Sequence, residues 1–210
     1  MMDKIQRLLF SLKDEERKLF MIHEYNNKTF LHHMGDTCNT VSFIIQGSIV
    51  MTKTDEDGNE SVFNLFHAPS IFGNNLIFSS SPLYLSDIMT LEPVVLYEIT
   101  KEDLFALLRN NAEFFSIYMS IIADKTITLT KRYNILSIQN LTKRMKAFLE
   151  WKWKENQNVY VVSSITSFAK ELCIPRETAS RLISKLQSEG YLTYTNKCLT
   201  KIKSAANGRF

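Results

Sequence analysis

The sequence predicts an α+β chain: an N-terminal antiparallel β-roll of jelly-roll type, one long helix, and a C-terminal helix-turn-helix with a β-wing. Three observations carry this. Apolar residues recur with period two from residue 26 to about 99, the alternation of half-buried strands. A 4-3 alternation then runs through Phe115, Met119, Ile122, Leu129, Tyr133 and Leu136, which is a helical seam. Finally, residues 164–183 read as two short helices about an Ile174-Pro175 turn, because a residue before proline is pushed out of the helical region.

In chain order, residues 1–20 are predicted as a short amphipathic helix with Ile5, Leu8, Leu9, Leu12, Leu19 and Phe20 on one side. The run from Phe43 to Met51 is β-rich and broken by Gly47, and residues 55–60 (Asp-Glu-Asp-Gly-Asn-Glu) form a hairpin turn of the Asp-Gly kind. Residues 62–66 and 94–99 supply further strands. Thr100 is a fitting N-cap for a helix over 101–108. The long helix spans 112–136 and carries two stripes. The seam, with Thr126 at one polar position, predicts a two-stranded coiled coil and hence a homodimer. Phe114, Ile117, Tyr118 and Ile121 form a second stripe for packing on the chain's own β-domain.

A helix over 138–153 turns Leu141, Met145, Phe148, Leu149 and Trp153 inward and Lys143, Arg144, Lys146, Lys152 and Lys154 mostly outward. A short strand follows at 159–162. Ser164 is a candidate N-cap, and Phe168, Ala169 and Leu172 form the apolar stripe of the first short helix. Pro175 suits the first position of the second, where a missing N–H costs nothing. Ala179, Leu182, Ile183 and Leu186 give that helix a buried side and leave Arg176, Glu177, Ser180 and Arg181 outside. Arginine bonds two acceptors of guanine at once and glutamate accepts from the cytosine amine, so these residue types at a helix start point to base reading in a major groove. Gly190 caps the helix. Residues 191–194 and 198–202 pair across Asn196-Lys197 as a wing, where Lys197, Lys201 and Lys203 are candidate phosphate contacts.

Charge supports this division. Residues 1–136 hold 12 Lys/Arg against 17 Asp/Glu, a net of −5, whereas residues 137–210 hold 13 against 5, a net of +8. A basic C-terminal third is what a polyanionic partner requires. Three scattered cysteines, Cys38, Cys173 and Cys198, form no CxxC pair and suit a reducing compartment. No metal site and no cofactor are expected. His32 and His33 are adjacent, so on a strand they face opposite sides, and His67 stands alone. Cys38 and Cys198 remain candidate thiol sensors. With no apolar run of 18 residues and no signal core, a cytoplasmic location is expected. No catalytic constellation stands out, so an enzyme is not expected. The competing reading is a small-molecule-binding or cupin-like β-roll with an incidental basic tail.

Residues 175–183 (Pro-Arg-Glu-Thr-Ala-Ser-Arg-Leu-Ile) closely resemble the recognition helix of the bacterial Crp/Fnr transcription regulators, whose pattern is Arg-Glu-Thr-x-Ser/Gly-Arg followed by two apolar residues. Cys173 stands where that family usually has glycine, and a non-glycine residue is accommodated there if φ stays negative. Gly35-Asp36, Gly47, Gly58 and Phe72-Gly73 similarly resemble the family's cyclic-nucleotide-binding-like β-roll. The resemblance implies a homodimer on a palindromic operator with a TGA-like half-site core. It assigns DNA contacts to Arg176, Glu177, Ser180 and Arg181, with Lys197 added from the wing, and leaves RNA polymerase open as a further partner. It implies a division into an effector domain (1–110), a dimerisation helix and hinge (111–137) and a DNA-binding domain (138–210).

The resemblance also locates an effector pocket, at Gly73, Asn74 and Asn75 with Tyr84, Leu85 and Ser86. Nucleotide-binding members place Gly-Glu-Leu and Arg-Ser there, and here no lysine or arginine occurs between Lys53 and Lys101. Burying a phosphodiester without a cation is expensive, so cyclic AMP in the usual mode is not expected. The pocket is left to another small molecule or to its own side chains.

Overall fold

The computed structural model describes residues 3–54 and 60–202, and the chain divides into two units, Met1–Lys125 and Thr126–Phe210. Helix α1 (Lys4–Phe10) starts at an Asp3–Gln6 capping box and buries Ile5 and Leu8. The single helix expected over residues 1–20 is instead two. Ser11 caps α1, Leu12 turns into the core, and a four-residue helix α2 (Asp14–Arg17) follows. The break is set from a distance: the Asn111 amide donates to the Ser11 carbonyl at 3.2 Å and to Glu16 Oε2 at 2.9 Å.

Period-two structure begins earlier than expected, at β1 (Met21–Tyr25). It continues through β2 (Phe30–His32), β3 (Thr40–Gln46), β4 (Ser48–Thr54), β5 (Glu60–His67), β6 (Ser70–Phe72), β7 (Asp87–Thr90) and β8 (Val94–Thr100). These form two four-stranded antiparallel sheets, ordered β1-β8-β3-β6 and β2-β7-β4-β5. Val41, Phe43, Ile44, Ile49, Ile88 and Leu96 fill the core between them. Gly47 separates β3 from β4 at φ +86°, where a Cβ would lie 2.3 Å from the Pro93 carbonyl, so only glycine fits. The hairpin expected at residues 55–60 falls, at 55–59, outside the described residues; β4 and β5 pair on either side of it, Thr54 opposite Glu60.

Helix α3 (Lys101–Asn110) starts where Thr100 Oγ1 accepts from the Asp103 amide. Helix α4 (Ala112–Leu136) has the predicted bounds. Its Phe114 and Tyr118 are buried in the β-roll core, with Ile117 and Ile121 packed against it. Of the other stripe, Phe115, Met119, Leu129 and Tyr133 are 44–73% exposed, whereas Leu136 is half-buried and Ile122, expected in the seam, packs against the β-roll core.

The second unit is built on α5 (Leu141–Glu155), β9 (Val159–Val161), α6 (Ile165–Glu171), α7 (Arg176–Ser188), β10 (Leu192–Thr195) and β11 (Cys198–Lys201). Met145, Phe148, Leu149 and Trp153 meet Phe168, Ala169, Ala179, Ile183 and Leu186 in one core. Asn140, not residue 138, caps α5 through the Lys143 amide. Strands β10 and β11 form the wing, and β9 adds to its edge in the order β10-β11-β9. The wing turns at Asn196-Lys197, both at positive φ, the type I′ geometry that suits two-residue hairpins. Among the described residues no helix is long and apolar enough to cross a membrane.

Two details of the helix-turn-helix differ from expectation. Pro175 is the N-cap of α7 at φ −60°, ψ 146°, and Arg176 is its first helical residue; a proline needs no amide at either place. Cys173 adopts φ +53°, not a negative value. The Ile174 amide donates to the Ala169 carbonyl and the Cys173 amide to the Lys170 carbonyl, both at 3.1 Å. This six-to-one and five-to-two pair ends α6 as a Schellman motif, which requires a left-handed residue at the first position past the helix cap, here Cys173. Cysteine holds that conformation at a penalty of about 1–2 kcal/mol. Cys173→Gly is therefore expected to raise stability by about 0.5–1 kcal/mol after the flexibility glycine adds to the unfolded chain. Urea unfolding measures this, and a lowered midpoint would show that the turn is not strained.

Candidate nucleic-acid interface and ligand pocket

The helix-turn-helix owes its geometry to caps at one end and small residues in the middle. Ser164 Oγ accepts from the Ser167 amide at 3.0 Å and starts α6. Ala169 and Ala179, both buried, stand where α6 and α7 cross, and side chains this short let the two backbones approach. Fully buried Phe168 and Leu172 fill the angle. Arg144, expected on the outside, is part of the support: its Nε donates to the Ile138 carbonyl at 2.9 Å and Nη1 to the Leu172 carbonyl at 3.3 Å. It thereby satisfies a carbonyl at the end of α6.

With Ala179, Ile183 and Leu186 buried, the opposite side of α7 faces solvent at its start. Arg176, Glu177 and Arg181 are exposed and Ser180 is half-exposed. Arg176 Nη1 lies 3.9 Å from Glu177 Oε1, with both side chains more than 60% exposed. A pair this open and long contributes little to stability, so both groups are available to base edges. The two C-terminal carbonyls of α7 are met by the Tyr191 amide on Leu186 (2.9 Å) and the Gly190 amide on Gln187 (3.0 Å), with Gly190 at φ +68°. That second Schellman motif turns the chain into the wing, whose tip carries exposed Lys197.

Much of the basic surplus is spent inside this unit. Lys201 donates to Glu150 Oε2 at 2.6 Å, so the expected phosphate contact is a structural tie of β11 to α5. Lys146 pairs with Glu189 at 3.2 Å and sits over the Tyr191 ring. Lys152 pairs with Glu155 and lies 4.3 Å above the Trp151 ring. Lys203 lies outside the described residues. Two phenols add to the frame, Tyr160 donating to Glu171 at 2.7 Å and Tyr191 to Glu150 at 2.7 Å, and buried Trp153 donates to the Leu199 carbonyl at 2.9 Å.

In the first unit, the six expected pocket residues separate. Gly73, Asn74, Tyr84 and Ser86 are buried; Asn75 and Leu85 are exposed, Leu85 at 70%, so their side chains take no part in a buried site. Gly73 sits at φ +79° with a would-be Cβ 2.8 Å from the Thr40 carbonyl and 3.3 Å from Cys38 Sγ. The Tyr84 ring stacks on His32 at 4.1 Å, while His33 is exposed and stacks on Phe30. The Tyr84 hydroxyl faces the Cys38 thiol without a nitrogen or oxygen partner. Among the described residues, Asn74 Nδ2, Ser86 Oγ and Tyr118 OH have none either. Each buried polar atom left this way costs about 1–3 kcal/mol.

Burial, then the neighbouring Cys38, pushes both tyrosine hydroxyls up, and each stays a neutral donor. Burial also raises the Cys38 thiol, which makes it a small hydrophobe and not a reactive thiolate. Lys125 reaches this region from α4, with Nζ 3.5 Å from Asn74 Oδ1 and 6.0 Å from the Phe66 ring centroid. Sequence reading missed Tyr118 and Lys125 as polar groups on the side of α4 that meets this β-roll region; the only signal was their place on the helix stripe next to the β-domain. Among the described residues, no group of three His, Cys, Asp or Glu side chains is placed to hold a metal.

Residues 22–111 match the family model of the cyclic nucleotide-binding domain. The chain is 24% identical over 124 residues to the cAMP-activated global transcriptional regulator CRP of Pasteurella multocida, a match spanning 59% of each chain. It is 19% identical over 177 residues to CRP of Haemophilus influenzae, covering 81% of this chain and 79% of that one. The solved structure of the c-di-GMP responsive global regulator CLP of Xanthomonas campestris superposes with a TM-score of 0.64 at 21% identity, over 90% of this chain and 98% of that one, a likeness of fold.

The clamp between α5 and the wing gives a pH test. Burial alone would raise the Glu150 carboxyl, but hydrogen bonds from Lys201 and Tyr191 and the charges of Lys201 and Lys154 outweigh it and hold the carboxyl below the usual range. A depressed native value means stability that is present above the unfolded value and lost as pH falls through the native one. Glu150→Gln should therefore be less stable than the wild type near neutrality, and the gap should begin to narrow only below about pH 4.5 and go on closing as pH falls through the lower native value. Urea midpoints at pH 7 and at about pH 3 measure it, and a gap that is constant with pH would exclude the clamp as its cause.

Proposed function

We propose, for a chain homologous to the Crp/Fnr-family transcription regulators, that it binds DNA sequence-specifically as a homodimer and acts as a regulator rather than an enzyme. One observation carries the reading: a 13-residue helix, α7, buries one side completely and presents Arg176, Glu177, Ser180 and Arg181 from its first turns on the other. In this reading α7 enters the major groove by its N-terminus. Arg176 and Arg181 take guanine acceptors, Glu177 accepts from a cytosine amine, and Ser180 contacts a base or a phosphate. Lys197 at the wing tip holds the backbone.

The outer stripe of α4, from Phe115 to Tyr133, is the dimer seam in this reading. A two-fold dimer selects a palindrome with half-sites one helical turn apart, about 34–36 Å. Residues 1–110 then serve as the sensor, 111–137 as dimerisation helix and hinge, and 138–210 as the DNA-binding part, in a cytoplasmic protein with RNA polymerase as a candidate partner. The effector is a small molecule other than cyclic AMP in its usual mode. That exclusion rests on the β-roll stretch between Lys53 and Lys101, which has no lysine or arginine where nucleotide-binding members of the family carry an arginine; Lys125 approaches from α4 instead.

Two measurements test the proposal. Arg181→Ala is expected to lose about 1–3 kcal/mol of specific binding while leaving salt-dependent non-specific binding nearly intact. A shift assay in which it separates operator from random DNA as well as the wild type does removes Arg181 from base reading. Leu129→Glu is expected to make the protein monomeric in sedimentation and to abolish tight operator binding, because a carboxylate in the seam faces its two-fold mate. A dimer that persists would place the interface elsewhere.

A further inference from the structure

The break between α1 and α2 leaves a groove on the side of the first sheet that carries Phe43 and Tyr97. Helix α1 stops at Ser11 and Leu12 turns inward, so the two short helices cover that side incompletely. The hollow between them and the sheet holds about 170 Å³ and is lined by Leu9, Leu12, Arg17, Phe20, Ile22 and Tyr97. Strand alternation supplies the floor. Phe20 and Ile22 are two residues apart and share a face, and Ile22 pairs with Tyr97 of β8. The Phe20 ring is held by an edge contact with Phe43, centroids 5.8 Å apart. Strand β1 is the edge of its sheet and Ile22 is 60% exposed, so the groove is open on that side.

Size and charge together name a ligand class. A cavity of about 150 Å³ walled by Leu, Ile and Phe holds one benzene ring, so this hollow admits an apolar body of about that size. Its one charged wall is Arg17. Arg17 Nε donates to the Leu12 carbonyl at 3.2 Å, which orients the planar fork, and among the described residues neither Nη has a hydrogen-bond or ion-pair partner. The acids beside it do not compete. Glu15 is taken by Lys18 at 2.8 Å, Glu16 by the Asn111 amide and the Lys13 backbone, and Asp14 forms no ion pair with Arg17. A free guanidinium edge presents parallel N–H groups that match a carboxylate. Past Arg17 the hollow continues to Gln6 and Phe10. Gln6 Oε1 accepts from the Asp3 amide at 3.1 Å, which leaves the Gln6 N–H₂ as a second donor at that end.

We propose that this groove binds a small monocarboxylic acid with an apolar body of about one six-membered ring. The body lies on Leu9, Phe20, Ile22 and Tyr97, and the carboxylate takes the free edge of the Arg17 guanidinium. The charge at the mouth selects the acid over a neutral molecule of the same shape, and the apolar floor selects it over an acid without a body, such as acetate. A bound ligand fills the space between α1 and the β1–β8 pair and ties the N-terminal helices to the sheet, so occupancy stabilises the folded chain. The groove shares no lining residue with the region of Gly73, Tyr84 and Ser86, and its occupancy does not depend on the regulator reading.

The test titrates the full chain calorimetrically, without DNA and at matched ionic strength, with sodium phenylacetate, 2-phenylethanol and sodium acetate. Phenylacetate is expected to saturate one site per chain, to raise Tm, and to bind about fivefold tighter than 2-phenylethanol, the upper end for an exposed ion pair of bidentate geometry. Acetate should not saturate. Arg17→Met should bind the two aromatic probes equally. Ile22→Asp, at an exposed position of the wall, should lose both. Lys18→Met, which removes a neighbouring cation already paired with Glu15, should bind as the wild type does. Circular dichroism verifies that each variant is folded. Four results overturn the proposal: no saturable binding of phenylacetate, an unchanged preference for it in folded Arg17→Met, full binding by folded Ile22→Asp, or equal loss in Lys18→Met. Because DNA is absent, the outcome is independent of the Arg181 and Leu129 results.

Discussion

One helix has to satisfy three environments at once, and much of the molecule follows from how it does so. Over 25 residues α4 buries Phe114 and Tyr118 in the β-roll core. Ile135 packs against the core of the second unit. Between them the helix leaves Phe115, Met119, Leu129 and Tyr133 outside. A helix of period 3.6 presents separate faces to separate neighbours, and only Ile122 of the outer stripe also packs on the β-roll core. The inner face also carries Tyr118 into the β-roll core and brings Lys125 beside Asn74.

The second unit uses charge in two ways. Lys146, Lys152 and Lys201 are tied to glutamates or held over aromatic rings, and Arg144 holds two carbonyls at the base of the helix-turn-helix. These cations stiffen the unit that presents α7. Arg176, Glu177 and Arg181 remain open because the apolar side of their helix does all the packing. A net charge of +8 thus overstates the positive charge left free on the surface, while Arg176, Glu177 and Arg181 are kept open by the packing of their helix.

The β-roll carries an energetic tension of a different kind. Asn74, Tyr84, Ser86 and Tyr118 each bury a polar atom that has no nitrogen or oxygen partner among the described residues, and a buried donor left unmet costs about 1–3 kcal/mol. Conformational strain is likewise local and explicable: Cys173 is left-handed because the Schellman termination of α6 demands it.

What the sequence determined by itself was whatever depends on short range. The bounds of α4, the Ser164 cap, the buried and open sides of α7 and the Asn196-Lys197 wing turn all follow from residues within a few positions of one another. So did the odd pairing of an acidic first part with a basic last third. Tertiary structure decided what hinges on distant partners. Asn111 breaks the N-terminal helix at Ser11, and Glu150 converts Lys201 from a phosphate contact into a strut. Arg144 is drawn inward by the Leu172 carbonyl. Leu85 turns to solvent while its neighbours Tyr84 and Ser86 are buried. The place of Lys125 beside Asn74, 51 residues away in the chain, has no local cause at all: only the docking of α4 on the closed β-roll brings a lysine to a stretch whose own sequence has no cation.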